Sequence, residues 1–260
     1  MRKIPQDILG NIAILKFPRG MWLLKKKFLA WRFLRHNRNV RTVLEKVEGF
    51  SGELRVPKLK HLAGERTNVA RYKESGCIFE FNVDKTYFSP RLSNERLEIS
   101  REILGSKKKS FRVLVMFAGV GPYPIVLAKM AKARKKKLRI FLNELNPDAF
   151  LAAKRNAKLN KVLDFIEFVE GDARDLPKKK LGKFDFIVMP RPNIKETFLK
   201  TALKLSKKGT KIFYHGFGDK KSVEEEIKRE IGGRVKDLNL KTAGDIGYKR
   251  FRVRASFVVR

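Results

Sequence analysis

The stretch 111–147 constrains the fold of this sequence more than any other. An apolar run over 113–117 ends in Ala118-Gly119-Val120-Gly121, a helical pattern follows, and a second apolar run over 138–142 ends at Glu144. Strand, glycine turn, helix, strand and acid make up half of a nucleotide-binding α/β unit. Since glycine has no Cβ, the chain can turn sharply there and a ligand can lie against its backbone.

The residues of this stretch favour a nucleoside over a dinucleotide. Glu144 follows Gly119 by 25 residues, a spacing at which a carboxylate can accept hydrogen bonds from two ribose hydroxyls. A pyrophosphate needs free N–H groups at the helix N-terminus, and Pro122 removes one of them. The pattern therefore favours a ligand such as S-adenosylmethionine over NAD. The alternative is a tight turn that binds nothing.

Strand and helix patterns alternate through the rest of the chain. We expect strands near 112–117, 138–143, 165–169, 184–189, 211–215, 233–240 and 251–259, and helices near 121–133, 147–160, 193–206 and 219–230. This order predicts an α/β fold with a mostly parallel sheet covered on both faces. No helix separates the last two strands, so the sheet should end in an antiparallel hairpin. By analogy, this is the Rossmann-like sheet of class I methyltransferases.

The residues before this sheet predict a smaller domain. A polar break at 107–110 predicts a boundary between an α+β RNA-binding domain at 1–106 and a methyltransferase domain at 107–260. Within the first domain we expect three features: a strand over 8–15, an amphipathic basic helix within 22–44, and a β-hairpin that turns at 73–76.

The charge of the chain indicates a polyanionic partner. Lys and Arg number 61 against 27 Asp and Glu, which gives a formal net charge of +34. Neutralisation of phosphates would supply most of the binding energy of such a chain. Charge alone does not separate RNA, DNA and an anionic membrane, and we favour nucleic acid.

The composition also bounds the location and the cofactor chemistry. No run approaches 18 uncharged apolar residues, and polar residues interrupt any leader-like segment near the N-terminus, so we expect no membrane span and a cytoplasmic monomer. The single cysteine, Cys77, and three widely separated histidines predict neither a disulfide nor a metal site.

Further candidate residues follow the later strands. Asp172 comes directly after the strand at 165–169, and its carboxylate could accept from an adenine amino group, or could instead form an Asx turn or cap a helix. Pro190 and Pro192 stiffen the loop after 184–189. Arg191, between them, is a candidate for phosphate contact or for plain exposure to solvent.

One carboxylate stands out upstream of the glycine turn. Ser89 and Pro90 predict the start of a helix that runs to Leu104. Glu95 lies on the apolar stripe of this helix, where a carboxylate is costly unless it is paired. It is therefore either a buried ion pair with an arginine or a carboxylate whose raised pKa suits a general base, and periodicity leaves both open.

Several motifs resemble one known family. The segments YFSPRLSNER (87–96), MFAGVGPYPI (116–125), ELNPDAFLAAKRNAKLNKV (144–162) and GDARD (171–175) closely resemble the archaeal and eukaryotic tRNA (guanine-37-N1)-methyltransferases. ILGNIAIL (8–15), GELR (52–55) and LKHLAGE (59–65) fit as well. The resemblance covers nearly the whole chain. It implies S-adenosylmethionine as cofactor and the anticodon loop of tRNA as substrate.

The resemblance also implies roles for individual residues. Glu95 would remove the proton from guanine N1, and Arg55 would stabilise the charge that builds on O6. Chemically this agrees with a nucleophile that is weak while protonated and needs a base and an electrostatic partner. The implied cofactor contacts are Phe117, Ala118, Gly119, Gly121, Glu144, Leu145, Asp172, Ala173 and Pro190, and the implied substrate contacts are Tyr87, Arg91, Arg191, Pro192 and Asn193.

The sequence departs from the family in two places. Many members carry Asn-Leu-Pro-Lys where this chain has Pro190-Arg191-Pro192-Asn193, so the asparagine that approaches the target base is replaced. Some archaeal relatives with an altered loop also methylate a tricyclic wyosine precursor, 4-demethylwyosine, at the same position. Members often carry a further N-terminal domain that reads the outer corner of tRNA, and this sequence begins at about the domain after it.

Two other functions compete with the leading one. A related enzyme on the same fold transfers the aminocarboxypropyl group of the cofactor in wyosine biosynthesis. A non-catalytic RNA-binding protein with a decayed cofactor site is the other alternative. The presence of Glu95, Glu144 and Asp172 argues against the second alternative.

Overall fold

The computed structural model describes residues 4–51, 56–247 and 250–260. The first part of the chain contains β1 Gln6–Leu9, β2 Ile12–Leu15, α1 Leu23–His36, β3 Thr42–Ser51, β4 Val56–Gly64, β5 Val69–Glu74, β6 Cys77–Asn82 and α2 Ser93–Leu104. The second part contains β7 Ser110–Val115, α3 Pro122–Ala133, β8 Lys137–Glu144, α4 Pro147–Leu159, β9 Ile166–Glu170, β10 Phe184–Met189, α5 Leu199–Lys204, β11 Ser206–Gly218, α6 Lys220–Ile231, β12 Val235–Gly247 and β13 Arg250–Val259.

The large sheet has the order β12-β13-β11-β10-β7-β8-β9. Its strands β11, β10, β7, β8 and β9 run parallel, and β13 is antiparallel to both β11 and β12. The predicted Rossmann-like sheet with an antiparallel hairpin at one edge is therefore confirmed. The reason is the short connection between β12 and β13, because a parallel crossover needs a dozen or more residues.

The small sheet has the order β1-β2-β3-β4, and α1 packs on it. The predicted basic helix is confirmed, but the strand predicted over 8–15 is wrong, since these residues form the hairpin β1–β2. Gly10 allows the turn, because its φ is +63° and a Cβ there would lie 1.9 Å from the carbonyl oxygen of Arg71. The turn dipeptide Gly10-Asn11, which divides the apolar run, is the sequence signal of this reversal.

The hairpin β5–β6 and helix α2 pack into the core of the large sheet. Phe79, Phe81 and Ile103 share one buried cluster with Val113 and Ile125. Side-chain amides on α4 also bind the hairpin: Glu80 N donates to Asn156 Oδ1 (2.8 Å), and Ile78 N donates to Asn160 Oδ1 (2.9 Å). Residues 69–104 thus pack with the large sheet, although the polar break predicts a boundary after residue 106.

Two helix boundaries differ from the predictions. Residues 190–198 form a loop, and α5 spans only Leu199–Lys204 instead of 193–206. Pro90–Leu92 form a 3₁₀ turn before α2, and the side chain of Ser89 makes no capping hydrogen bond. Among the described residues, no helix has both the length and the apolar character needed to cross a membrane.

Candidate active site

A cavity of about 340 Å³ lies at the carboxyl ends of β7, β8, β9 and β10, and we call it the strand-end cavity. Its volume is in the range of small-molecule sites. The predicted residues that line it are Tyr87, Phe117, Gly119, Glu144, Leu145, Asp172, Ala173, Pro190, Arg191 and Pro192. The fold thus brings together the residues at the ends of four neighbouring strands.

Two of the predicted cofactor contacts lie behind this cavity. Ala118 N donates to the carbonyl of Asn143, which holds the turn against β8 (2.9 Å). Gly121 has a φ of +88°, and a Cβ there would lie 2.9 Å from Ile125 Cδ1 and 3.3 Å from Ala153 Cβ. The described contacts of both residues shape the turn and let α3 and α4 approach each other closely.

Glu144 is held rigidly at the floor of the strand-end cavity. Gly119 N donates to its Oε2 (2.7 Å) and Asn146 N donates to its Oε1 (2.8 Å). Burial raises the pKa of this carboxyl, and the backbone hydrogen bonds from Asn146 and Gly119 partly offset the effect. The remaining lone pairs of an oriented carboxylate can accept from hydroxyl groups of a ligand.

Asp172 caps the turn that follows β9. Its Oδ1 accepts from Arg174 N (2.7 Å), and its Oδ2 accepts from the Arg174 guanidinium (2.8 Å). The alternative of a capping role is therefore confirmed, and the same carboxylate still lines the strand-end cavity. A capped, fixed carboxylate at this position can also accept a hydrogen bond from a ligand amino group.

Arg191 does not lie in solvent, and its guanidinium is engaged within the protein. Its side chain is 2% exposed and donates to the carbonyls of Ile194 (2.7 Å) and Glu196 (3.2 Å). It also pairs with Glu226 of α6 (3.2 Å). The expectation of a solvated or phosphate-contacting side chain is therefore wrong, and this arginine instead fixes the loop after β10.

A second cavity, of about 490 Å³, lies between the small sheet and the edge of the large one, and we call it the cleft. Three of the predicted substrate contacts line it, namely Tyr87, Arg91 and Asn193. Arg91 Nη2 lies 2.6 Å from Asp7 Oδ1 of β1 and so joins the two parts of the chain. Tyr87 and Arg252 line both cavities, so these two residues form their common border.

Glu95, with His215 and Arg254, forms a buried polar cluster beside this border. Its carboxylate is 6% exposed, and Oε1 lies 3.3 Å from both His215 Nε2 and Arg254 Nη1. Burial acts to raise the pKa of Glu95, but the hydrogen bond from His215 and the charges of His215 and Arg254 outweigh it and lower the pKa. Of the two alternatives that periodicity left open, the structure shows the ion pair with an arginine and not the carboxylate with a raised pKa.

His215 is fully buried in the polar cluster. Burial lowers the pKa of its imidazole, the hydrogen bond with Glu95 opposes this, and the charge of Arg252 adds to the lowering. A neutral imidazole can donate one hydrogen bond to the carboxylate. Glu95 itself lines neither cavity among the described residues, but Leu92, three residues earlier on the same helical stripe, lines the cleft.

Sequence reasoning missed His215, Arg252 and Arg254. The histidine looked isolated because its partners lie 120 residues earlier and on a later strand. The sequence of β13 gave no signal, because Arg252 and Arg254 share their strand face with Arg250 and Ser256 and so resemble the exposed polar face of an alternating strand. Arg55, the predicted partner of the substrate oxygen, lies outside the described residues.

The fold and the two adjoining cavities define a class of protein: a Rossmann-like methyltransferase with a small attached β-sheet domain. Residues 70–241 match the model of the TRM5/TYW2 methyltransferase domain, and residues 5–67 match that of the TYW2 N-terminal domain. The chain belongs to the TRM5/TYW2 methyltransferase family. The two matched ranges meet near residue 68, at the start of the hairpin that packs with the large sheet.

Named relatives agree with this assignment. The chain is 33% identical to the tRNA (guanine(37)-N(1))/4-demethylwyosine(37)-methyltransferase Taw22 of Nanoarchaeum equitans, over 95% of this chain and 97% of that protein. It is 34% identical to Trm5b of Pyrococcus abyssi, a tRNA (guanine(37)-N(1))-methyltransferase, over 82% of this chain and 59% of that protein. A solved complex of aTrm5 with tRNALeu superposes with a TM-score of 0.86 at 26% identity, over 99% of this chain and 72% of that one.

Proposed function

We propose that this chain is an S-adenosylmethionine-dependent methyltransferase that modifies N1 of guanosine 37 in tRNA. The observation that carries the proposal is the common border of the two cavities. A nucleoside-sized cavity at the strand ends opens beside a cleft lined by residues of both sheets. A methyl donor and a target base can therefore meet at Tyr87. The names of the relatives from N. equitans and P. abyssi support this substrate.

The residues of the strand-end cavity fit this cofactor. Glu144, already fixed by two backbone N–H groups, would accept from the ribose hydroxyls, and Asp172 would accept from the adenine amino group. Phe117 and Ala173 supply apolar walls for the adenine ring. When bound, S-adenosylmethionine supplies an electrophilic methyl group and leaves as the neutral thioether.

Glu95 would act as the base for guanine N1. Since its pKa is lowered, the carboxylate is ionised at neutral pH and can accept the N1 proton as N1 gains the methyl group. His215 and Arg254 hold this carboxylate in place. The base must leave the stack of the anticodon loop and enter past Leu92 and Tyr87 to reach it.

Helix α1 offers a surface for the RNA. Residues 8–44 contain nine Lys or Arg and no acid. On α1, Phe28 and Trp31 are 57% and 50% exposed and stack on each other, and the Arg35 guanidinium lies 4.9 Å from the Trp31 ring. Basic residues can neutralise phosphates, while exposed aromatic rings can stack on unpaired bases.

The RNA surface can be tested separately from catalysis. We expect Phe28→Ala with Trp31→Ala to weaken tRNA binding about tenfold, since stacking contributes about 1–3 kcal/mol per base. Leu151→Ala, which removes an exposed side chain on α4, is the matched control. If the two variants bind tRNA with equal affinity in a filter-binding assay, α1 is not part of the RNA interface.

The reaction is tested by incubating the chain with an unmodified tRNA transcript and labelled S-adenosylmethionine, followed by nucleoside mass spectrometry. The proposal predicts 1-methylguanosine at position 37, and no label in a transcript with adenosine at 37. An aminocarboxypropyl adduct would identify the related transferase instead. The absence of any modified nucleoside, with tRNA still bound, would leave a non-catalytic RNA-binding protein.

A second acceptor is favoured by one specific observation. The N. equitans relative, of which the chain covers 97%, is named for 4-demethylwyosine as well as for guanosine. In this chain the loop Pro190–Asn193 carries proline where many members carry asparagine. A tRNA that contains 4-demethylwyosine, assayed in the same way, should gain one methyl group. An unchanged nucleoside would restrict the chain to guanosine.

A further inference from the structure

The two ends of the parallel strands β7 to β11 differ sharply in charge. The segments at their carboxyl ends hold six acids and four Lys or Arg, and these segments are 116–121, 144–146, 170–175, 190–198 and 218–220. The segments at their amino ends hold thirteen Lys or Arg and one acid, Asp164, and these segments are 105–110, 134–137, 160–165, 180–183 and 204–209. We call the second set the basic edge.

The fold brings the five segments of the basic edge into one row. Because the five strands run parallel, they all begin at the same end of the sheet, in the order β11-β10-β7-β8-β9. Contacts join neighbouring segments. Lys108 and Lys207 lie 2.5 and 3.0 Å from Asp185 Oδ1, and Lys136 Nζ donates to the carbonyl of Ser106 (3.3 Å). Four strand spacings of about 4.8 Å make the row about 19 Å long.

The fold itself uses few of these cations. Within the described residues, Lys108 and Lys207 pair with Asp185, and the other eleven cations of the basic edge form no ion pair. Twelve of the thirteen are exposed, and Lys136 is half-buried. Helices α2, α3, α4 and α5 end at this edge, and each helix C-terminus carries about half a negative charge. Four helix ends account for about two cations, so most of the charge serves no purpose within the fold.

The side chains of the basic edge favour a phosphate backbone over unpaired bases or a membrane. Its single aromatic residue, Phe165, packs against the core of the large sheet, and Leu163 is the one large hydrophobic side chain that these described segments expose. Stacking on single strands uses exposed aromatic rings, and membrane anchoring uses apolar ones. Neutralisation of phosphates needs only cations. Helix α1 differs, because Phe28 and Trp31 accompany its basic residues.

The density of charge along the row matches that of a duplex. A nucleic-acid duplex carries about one negative charge per 1.7 Å of its axis, so a length of about 19 Å holds about 11 charges. The thirteen cations of the basic edge, less Asp164 and Asp185, leave eleven positive charges over the same length. A duplex that lies along the row therefore meets a surface of complementary charge.

We propose that the basic edge binds the phosphate backbone of an RNA duplex in a second RNA molecule, distinct from the tRNA whose loop is modified. β7 and β10 have six residues each, so this edge lies about 20 Å from the strand-end cavity, at the opposite end of the sheet. A stem whose loop enters the cleft leads away from it. Phosphate contacts carry no sequence information, so this binding depends on charge and not on sequence. The inference goes beyond the proposed function, because it needs neither cofactor nor methyl transfer.

The test measures binding of the whole chain, without cofactor, to a blunt RNA duplex of about 16 base pairs. The edge variant removes four exposed cations: Lys107→Gln, Lys109→Gln, Lys137→Gln and Lys208→Gln. The control variant removes the same charge from the small sheet and from the carboxyl ends of the strands: Lys60→Gln, Lys195→Gln, Lys220→Gln and Lys221→Gln. A third variant carries Lys→Arg at the four edge positions and keeps the charge.

Fluorescence anisotropy over a salt titration gives the affinity and the number of phosphate contacts. Since log K falls by about 0.9 per contact for each decade of salt, the edge variant should lose about 3 from the slope. At about 0.1 M salt it should bind the duplex at least about 100-fold more weakly than wild type. The control and the Lys→Arg variant should stay within about threefold, because charges beyond a Debye length of about 10 Å are screened.

Native mass spectrometry identifies which RNA molecule occupies the basic edge. Wild type should form a complex that holds one tRNA and one duplex together, and the edge variant should hold the tRNA alone. If wild type never holds both, the second-molecule assignment is overturned. Equal losses in the edge and control variants, or binding to phosphatidylserine vesicles without binding to the duplex, would also overturn the proposal.

Two further measurements exclude a folding defect. Calorimetric titration with S-adenosylhomocysteine should give the edge variant a dissociation constant within about threefold of wild type. If it does not, the two half variants, Lys107→Gln with Lys109→Gln and Lys137→Gln with Lys208→Gln, should each lose about half of the change in slope. An unchanged slope in both would overturn the proposal. Absence of methyl transfer by wild type would contradict the proposed function and leave these binding results as they are.

Discussion

The strand-end cavity and the polar cluster are built in opposite ways. In the cavity, Gly119, Glu144 and Asp172 follow successive strands, and each is fixed by backbone groups a few ångströms away. In the cluster, Glu95 comes from a helix before the sheet, and its partners His215 and Arg254 come from β11 and β13. A parallel sheet places its strand ends at one edge by construction, whereas the cluster depends on an antiparallel strand inserted between β11 and β12.

In the proposed function, this difference separates cofactor binding from proton transfer. The cavity would hold the cofactor by backbone geometry, and buried charge in the cluster sets the ionisation of one carboxylate. Substitutions in the cavity should therefore change the dissociation constant of the cofactor, and substitutions in the cluster should change the rate and its pH dependence. The following predictions test this separation, from the largest effect to the smallest.

Glu95→Ala should slow methyl transfer about a hundred- to ten-thousand-fold, because the N1 proton loses its acceptor. The dissociation constant of S-adenosylhomocysteine should change less than threefold. Single-turnover kinetics and calorimetry measure the two quantities. Glu102→Ala, on the same helix, is the control. A loss of cofactor binding in Glu95→Ala would show that Glu95 has a structural role, and would contradict the proposed separation of cofactor binding from proton transfer.

Glu144→Ala should weaken cofactor binding about ten- to a hundredfold, since hydrogen bonds to a charged group contribute about 1.5–3 kcal/mol. At saturating cofactor the rate should stay within a few-fold of wild type. Glu170→Ala, at the end of the neighbouring strand β9, removes an exposed carboxylate as a control. An unchanged dissociation constant would limit Glu144 to bracing the glycine turn.

His215→Gln should move the acid limb of the rate–pH profile. His215 helps to lower the pKa of Glu95, so its loss raises that pKa and reduces the ionised fraction of the base near pH 5. We expect a several-fold slower rate at pH 5 and little change at pH 8. His61→Gln on the small sheet provides the comparison. A uniform loss at every pH would argue that His215 only packs against Glu95.

Asp185→Asn should lower stability and leave both functions intact, because Asp185 starts β10 at the other end of the sheet. Burial acts to raise the pKa of Asp185, but hydrogen bonds from Lys108, Arg112 N and Lys207 outweigh it and lower the pKa from 3.8 to about 2. A lowered pKa stabilises the fold above pH 3.8, and this contribution disappears as pH falls through about 2. After screening by solvent we expect about 1 kcal/mol at pH 7. Urea unfolding at pH 7 and pH 3 measures it, and an equal difference at both pH values would contradict the assignment.

The sequence by itself determined the strand-end half of the site. The glycine turn, Glu144 and Asp172 could be predicted from the sequence, because a βα unit keeps its ligand-binding residues within short, regular distances along the chain. The same local logic predicted the parallel order, the edge hairpin and the apolar stripe that buries Glu95. The predictions were wrong at 8–15, where the turn dipeptide Gly10-Asn11 divides the apolar run into two strands, and at 190–198, where prolines prolong a loop.

Only the tertiary structure decided the other half. The direction of the Glu95 pKa shift depends on which charges face a buried carboxylate, and those charges are more than a hundred residues away in the chain. Packing likewise decides that Arg191 forms an ion pair with Glu226. It also decides that Arg252 has no ion pair among the described residues. Local sequence patterns specify backbone geometry. The pKa of a buried group instead depends on the charged and polar residues that the fold places around it.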